Sequence, residues 1–215
     1  MDRGCRSVSL GSVSVTVDPG LSRYESLDDY PPLVRRAVEA SRRVGYAKSC
    51  IPEVGALLRV LAASMAVRRI GETGTACGVG AAWIASGMAH DAKLITYELD
   101  DEASEAATSV FAQEPRVEVV AGDASEIGDH GPFDLLFTDG GFNKSEPEPL
   151  LALVASGGIV VLDDLTPQHA WTPALRAMYG EWRNDPVRVA WHGSGARTTE
   201  LLVTRDESVL LAARI

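Results

Sequence analysis

The sequence predicts an α/β fold: a doubly wound, mostly parallel seven-stranded sheet with N-terminal helices and an antiparallel C-terminal strand. Three observations predict it. From Val67 to Leu162 the pattern alternates between strand and helix periods. The strands in that stretch are short, continuous apolar runs, as in a parallel sheet covered on both faces. Near the C-terminus two more strands are separated only by residues 205–208, too few for a parallel crossover, so they pair antiparallel.

Each element has its own signal. Val13, Val15 and Val17 alternate with polar residues, which reads as a short strand ended by the turn Asp18-Pro19-Gly20, or as a flexible leader over residues 1–30. Pro31-Pro32 opens a first helix with Leu33, Val34, Ala37, Val38 and Val44 on one face, and Gly45 stops it. Pro52 opens a second as a first-turn proline, with Glu53 favourable to the helix dipole and Val54, Leu57, Leu58 and Leu61 as its stripe. These two helices cover the sheet or form a lid.

The first core strand is read at 67–70, running through Glu72 into a loop with glycines at 74, 78 and 80, then a helix from Ala81. The second is 93–98, ending in Glu98, and Asp100 caps a helix over 101–111. The third is 117–121, followed by Gly122-Asp123-Ala124. The fourth is 133–138, ending in Asp139. A short helix at 147–154 is stopped by Gly157-Gly158, and a fifth strand at 159–162 ends in Asp163-Asp164. A helical region follows near 173–182, and Asp185-Pro186 caps another short helix. Strands at 198–204 and 209–214 complete the sheet. The chain reads as a single domain, 1–215, with a leader, N-terminal helices over 31–66 and a core over 67–215.

Bulk properties narrow the function. A formal charge of -10 repels nucleic-acid phosphates, so no nucleic-acid partner is expected. Cys5, Cys50 and Cys77 are scattered, with no CxxC spacing, which points away from zinc and disulfide frameworks and towards a reducing cytoplasm. No apolar run approaches the ~20 residues of a membrane span, and the first residues lack a signal-peptide core. A cytoplasmic protein with no membrane partner is the expectation.

Ligands of an open parallel sheet bind at the carboxyl ends of its strands. Here every core strand delivers glycine or carboxylate to that edge: Gly74, Glu98, Asp123, Asp139, and Asp163 with Asp164. One such acid is commonly a cap; five in register describe a functional edge. Glu98 stands where an acid accepts hydrogen bonds from ribose hydroxyls, as in NAD or an adenosine cofactor. Glu72 before the glycine loop would repel a pyrophosphate, and Trp83 replaces the third glycine of a dinucleotide loop. Both favour the second.

The stretch from Glu72 through Gly74, Ala76 and Gly78 to Gly80 resembles the cofactor loop of class I S-adenosylmethionine-dependent methyltransferases, a Rossmann-like fold. The likeness is to the catechol O-methyltransferase branch with its small bacterial O-methyltransferases. It extends through Pro52-Glu53-Val54-Gly55, Glu98, Gly122-Asp123-Ala124, Asp139 and Gly157-Gly158. It implies that Gly74, Gly78 and Gly80 cradle the methionine part of S-adenosylmethionine, with Ala76 in the same loop and Glu72 just before it. Glu98 would hold the ribose, Asp123 and Ala124 would sit by the adenine, and Asp139 would lie near the methionine amino group. The backbone at Lys48 and Cys50 would close over the cofactor, and Cys77 is a small packed residue.

The same resemblance implies a divalent metal on Asp139, Asp163 and Asp164. Hard oxygen donors suit Mg²⁺, unless Asp164 instead caps residues 165–167. The family's base, a lysine three residues after the strand-ending aspartate, is replaced here by Phe142, so Lys144 is either the base or a surface lysine. Trp171, Met178, Trp182 and Trp191 form the acceptor pocket or pack helices on the sheet. The implied activity is O-methylation of a small catechol- or phenol-like acceptor. The rivals are a non-catalytic S-adenosylmethionine-binding protein and an NAD(P)-dependent oxidoreductase. A homodimer is allowed.

Overall fold

The computed structural model describes residues 20–64 and 66–215. Cys5, the strand through Val13, Val15 and Val17, and Asp18-Pro19 of the turn lie outside them. The elements run α1 (Pro32–Val44), α2 (Pro52–Ala62), β1 (Arg69–Thr73), α3 (Val79–Gly87), β2 (Lys93–Glu98), α4 (Asp101–Phe111), β3 (Val117–Ala121), β4 (Phe133–Thr138), α5 (Pro147–Leu153), β5 (Val154–Leu165), α6 (Pro173–Tyr179), α7 (Pro186–Gly193), β6 (Arg197–Leu202) and β7 (Ser208–Ala213). The sheet order is β3-β2-β1-β4-β5-β7-β6. β3 to β5 pair in parallel, and β7 runs antiparallel to both β5 and β6.

Local chemistry explains the boundaries. Gly45 closes α1 in the left-handed conformation with φ 78°, its N–H donating to Ser41. Asp100 accepts the Ala103 N–H at 2.9 Å and starts α4. Asp185 accepts the N–H groups of Val187 and Arg188 and starts α7. Strands β2, β3 and β4 lie on their predicted residues.

β6 and β7 are shifted by one or two residues from their readings, and two strands differ more. β1 runs to Thr73, so Glu72 is inside the strand and not past its end. Gly71 and Glu72 are poor strand formers, but they pair with Ile95 and Thr96 on one side and Leu136 and Phe137 on the other. A methyl at Gly71 would sit 3.0 Å from both Leu136 and Phe133. β5 is longer than its apolar run. It begins at Val154, directly after α5, passes a register shift near Gly157, and reaches Leu165 opposite Ser208.

The core lies on both sides of the sheet. One cluster joins Val34, Val38, Val54 and Leu58 to Ile84, Leu94 and Phe137. The other joins Leu136, Leu150, Val160 and Trp191 on the opposite face. The N-terminal helices form a layer over the helices that flank the sheet: α1 packs on α3 and α4, and α2 packs on α3. Gly55 makes that packing close, since a methyl there would meet the Trp83 indole at 2.2 Å. The indole N–H donates to the Tyr24 hydroxyl at 2.9 Å, which donates to the Cys50 carbonyl at 2.8 Å. Among the described residues no helix is long and apolar enough to cross a membrane.

Candidate functional site

The carboxyl edge of the sheet opens into a cleft of about 350 Å³. Its wall includes Gly74, Ala76, Glu98, Asp139, Asp163 and Asp164, all anticipated from sequence. Tyr46, Ser49, Ile51, Gly140, Glu207 and Gly20 complete it, together with Lys48, whose backbone the resemblance had placed there. Sequence reading missed most of this second group. The available signal was topological: the linker between α1 and α2, and the turn between β6 and β7, both return to the edge where β5 ends.

The floor is stitched from two loops. Gly74 and Thr75 donate backbone N–H to the Tyr97 carbonyl at 3.0 and 3.2 Å. Asp139 and Gly140 both donate to the Thr73 carbonyl at 3.0 Å, and the Thr73 hydroxyl donates to the Gly140 carbonyl at 2.7 Å. Gly74 has φ 85°, and a Cβ there would lie 2.7 Å from the Gly140 nitrogen. The other two glycines make room for protein rather than ligand. A methyl at Gly78 would strike Phe111 at 2.8 Å, and one at Gly80 would strike Glu72 Oε1 at 2.5 Å. Neither lines the cleft.

Glu98 fastens the loop and faces the cleft. Its Oε2 accepts the Ala76 N–H at 2.6 Å, and Oε1 accepts the Asp100 N–H at 2.9 Å. Ala76 adopts the left-handed φ of 47° that turns this N–H inward. Glu72 lies under the loop. One oxygen accepts from the Thr96 hydroxyl and the other is buried without a hydrogen bond. Burial, and then the charge of Glu98, push its carboxyl up to about 8 against the Thr96 hydrogen bond. Asp123 does not line the cleft; it accepts the Ser125 N–H at 2.8 Å and starts a 3-10 turn. Ala124 is buried beneath Gly141. Cys77 is fully buried, a packed residue.

Asp139, Asp163 and Asp164 converge, each offering an oxygen within 4.8 Å of the others. Asp164 reaches this position with φ 60°, rare for a residue with a Cβ. Burial pushes Asp163 up to about 7, reinforced by Asp164. Burial followed by the charges of Asp164 and Asp163 holds Asp139 well above the usual carboxylate range, with Lys144 pulling the other way. Lys144 is not a solvated surface lysine. Its Nζ donates to the Asp163 carbonyl at 2.9 Å and lies 3.6 Å from Asp164 Oδ2. The Trp191 indole N–H donates to the Lys144 carbonyl at 2.8 Å and anchors the loop. Trp171, Met178, Trp182 and Trp191 do not line the cleft; Trp191 is core and Met178 is 56% exposed.

Comparison with known proteins gives the family. A family model described as a methyltransferase domain matches residues 72–165, from Glu72 to the end of β5. A protein of Mycobacterium sp. (strain JLS), named as an O-methyltransferase, is 34% identical over 200 residues, covering 85% of this chain and 86% of its own length. The chain belongs to the class I S-adenosylmethionine-dependent O-methyltransferases. Solved O-methyltransferases share its fold. The one from Bacillus cereus, in complex with S-adenosylhomocysteine, superposes with a TM-score of 0.68 at 19% identity, over 91% of this chain and 96% of that one. The one from Streptomyces achromogenes, in complex with S-adenosylmethionine, gives 0.65 at 23% identity with the same coverage. In this O-methyltransferase, Glu98, Asp139 and Lys144 stand at one sheet edge.

Proposed function

We propose that the chain, as one domain, methylates a hydroxyl oxygen of a small catechol- or phenol-like acceptor in the cleft between Glu98 and Lys144. The carrying observation is the convergence of Asp139, Asp163 and Asp164 in the same cleft as Gly74, Ala76 and Glu98, with Lys144 behind them on the Asp163 carbonyl and 3.6 Å from Asp164. The cleft suits S-adenosylmethionine. A side chain at Gly74 would close its floor, and Glu98 keeps acceptor capacity for ribose hydroxyls beyond its two backbone donors. When bound, the cofactor supplies a methyl group already activated by its sulfonium charge.

The chain's own residues then orient and deprotonate. Glu98 fixes the cofactor at one end, which brings the transfer distance under the control of a rigid strand end. Lys144, held by the Asp163 carbonyl, is placed to hold the acceptor's oxygen and to take its proton once the ammonium has given its own to solvent. The three aspartates fit a hard divalent cation such as Mg²⁺, which would lower the acceptor hydroxyl's pKa. A chain charge of -10 supports a small-molecule partner over nucleic acid. The NAD(P)-dependent oxidoreductase loses support, since O-methyltransferases of the same fold are solved with S-adenosylhomocysteine or S-adenosylmethionine.

Calorimetry tests the cofactor reading. S-adenosylmethionine is expected to bind in the micromolar range, and Glu98→Ala to weaken it about tenfold or more, the value of one charge-assisted hydrogen bond. Binding of NAD instead, or an unchanged affinity in Glu98→Ala, sinks it.

A further inference from the structure

Glu207 belongs to the cleft wall, and nothing in the methyl-transfer chemistry above uses it. Its position follows from the C-terminal hairpin. Ser208 pairs with Leu165, and its hydroxyl donates to the Leu165 carbonyl at 3.0 Å. In this antiparallel pairing Asp163 and Asp164 bulge opposite Val209, and Glu207, one residue beyond the Ser208–Leu165 pair, lies on the same cleft wall as the aspartates. The turn that delivers it is closed. Val203 and Thr204 donate backbone N–H to the Glu207 carbonyl at 3.0 and 3.1 Å, and the Thr204 hydroxyl accepts the Glu207 N–H at 3.1 Å.

The side chain is 14% exposed and its Oε2 makes no hydrogen bond. Arg23, from the N-terminal 3-10 turn, stands 3.8 Å from Glu207 Oε2 and 3.3 Å from Asp206 Oδ1. This pairing ties the turn across the cleft mouth to the chain's first described turn. The wall holds five carboxylates, Glu98, Asp139, Asp163, Asp164 and Glu207, and one ammonium, Lys48. A divalent cation on the aspartates would leave Glu207 outside its donor set.

We propose that Glu207 sets the charge of acceptor that the cleft admits, favouring neutral or cationic hydroxylated aromatics over anionic ones. The proposal rests on the O-methyltransferase reading of the same cleft. Burial pushes the Glu207 carboxyl up to about 7 against the pull of Arg23, so the comparison is made at about pH 8.5, where a second carboxylate within about 7 Å in a half-buried cleft is repelled by enough to cost about tenfold in affinity.

A matched pair of acceptors tests it: 3,4-dihydroxybenzoate and its uncharged isostere 3,4-dihydroxybenzamide. Binding of each to full-length protein loaded with S-adenosylhomocysteine and Mg²⁺ is followed by NMR titration, with kcat/KM alongside. The wild type is expected to prefer the amide by about tenfold or more, and Glu207→Gln to shrink that preference to about threefold or less. Glu207→Asp keeps the preference, as does Asp206→Asn, because Asp206 is 59% exposed and outside the cleft wall. Equal affinities in the wild type, no binding of either compound, or a preference that Glu207→Gln leaves intact overturns the proposal. If Glu207→Gln does not fold, Glu207→Thr takes its place under the same limit of about threefold. Failure to bind S-adenosylhomocysteine would instead strike the cofactor reading, so the two failures are distinguishable.

Discussion

At the scale of the residue, Glu72 shows what burial does to a charge. Its carboxyl is pushed up to about 8, with one oxygen on the Thr96 hydroxyl and the other without a partner above the packed Phe137. An acid whose folded pKa exceeds its unfolded value of about 4.5 leaves stability intact below that value. Stability then falls as pH climbs through the folded pKa, because the unfolded chain ionises more readily. The unfolding free energy of the wild type, measured in urea, is therefore expected to decline between about pH 5 and 8. Glu72→Gln cannot ionise and should lose that part of the slope, ending about 2–4 kcal/mol above the wild type at the alkaline end. Equal slopes for the two proteins would show that Glu72 is charged in the fold. The sequence marked Glu72 as unusual but placed it past the end of the strand, just before the glycine loop. Its true setting inside β1 depends on neighbours on both sides, and no local propensity reports those.

At the scale of the element, β2, β3 and β4 were legible to the residue because each is an apolar run bounded by charge, proline or glycine. β1 and β5 were not, since glycines and acids continue their pairing beyond the apolar stretch. The short helix α7 was legible from Asp185-Pro186, yet its main attachment was not. Arg188 is 2% exposed. It donates to Asp185 Oδ2 at 2.6 Å, to Glu200 at 2.6 and 2.8 Å, and to the Thr166 carbonyl at 2.9 Å, with its guanidinium 6.0 Å from the Trp171 ring. One arginine thus joins α7, β6 and the segment after β5. In sequence it is one basic residue in an amphipathic helix, with nothing to reveal that two acids close on it. Arg188→Met leaves Asp185 and Glu200 without their cation and is expected to cost about 3–5 kcal/mol by chemical denaturation. Adding Glu200→Gln should recover part of that loss, with a coupling of about 1 kcal/mol or more. A loss under about 1 kcal/mol for Arg188→Met would mean the network is solvated and weak.

At the scale of the whole molecule, the fold concentrates carboxylates at one end of its sheet. That the strand ends would meet at one edge was legible, because parallel strands all point the same way. The depth of the cleft was not, because its far wall comes from the α1–α2 linker and the β6–β7 turn. Asp139, Asp163 and Asp164 are brought within 4.8 Å of one another by two neighbouring strands, and Lys144 offsets one charge of the three. The folded state therefore bears a repulsion that the unfolded chain does not, and a divalent cation is expected to relieve it. Added Mg²⁺ in excess of its Kd should raise the melting temperature by on the order of 5 °C over KCl of matched ionic strength, and EDTA should reverse the rise. Asp163→Asn removes one of the like charges. It is expected to melt higher than the wild type without Mg²⁺, and to respond to Mg²⁺ little or not at all. Methyl transfer should fall in EDTA in the wild type. An identical melting temperature in Mg²⁺ and in KCl would reject the cation, leaving Lys144 as the group that steadies the acceptor's oxygen while the cofactor cradle at Gly74 and Glu98 stands unaffected.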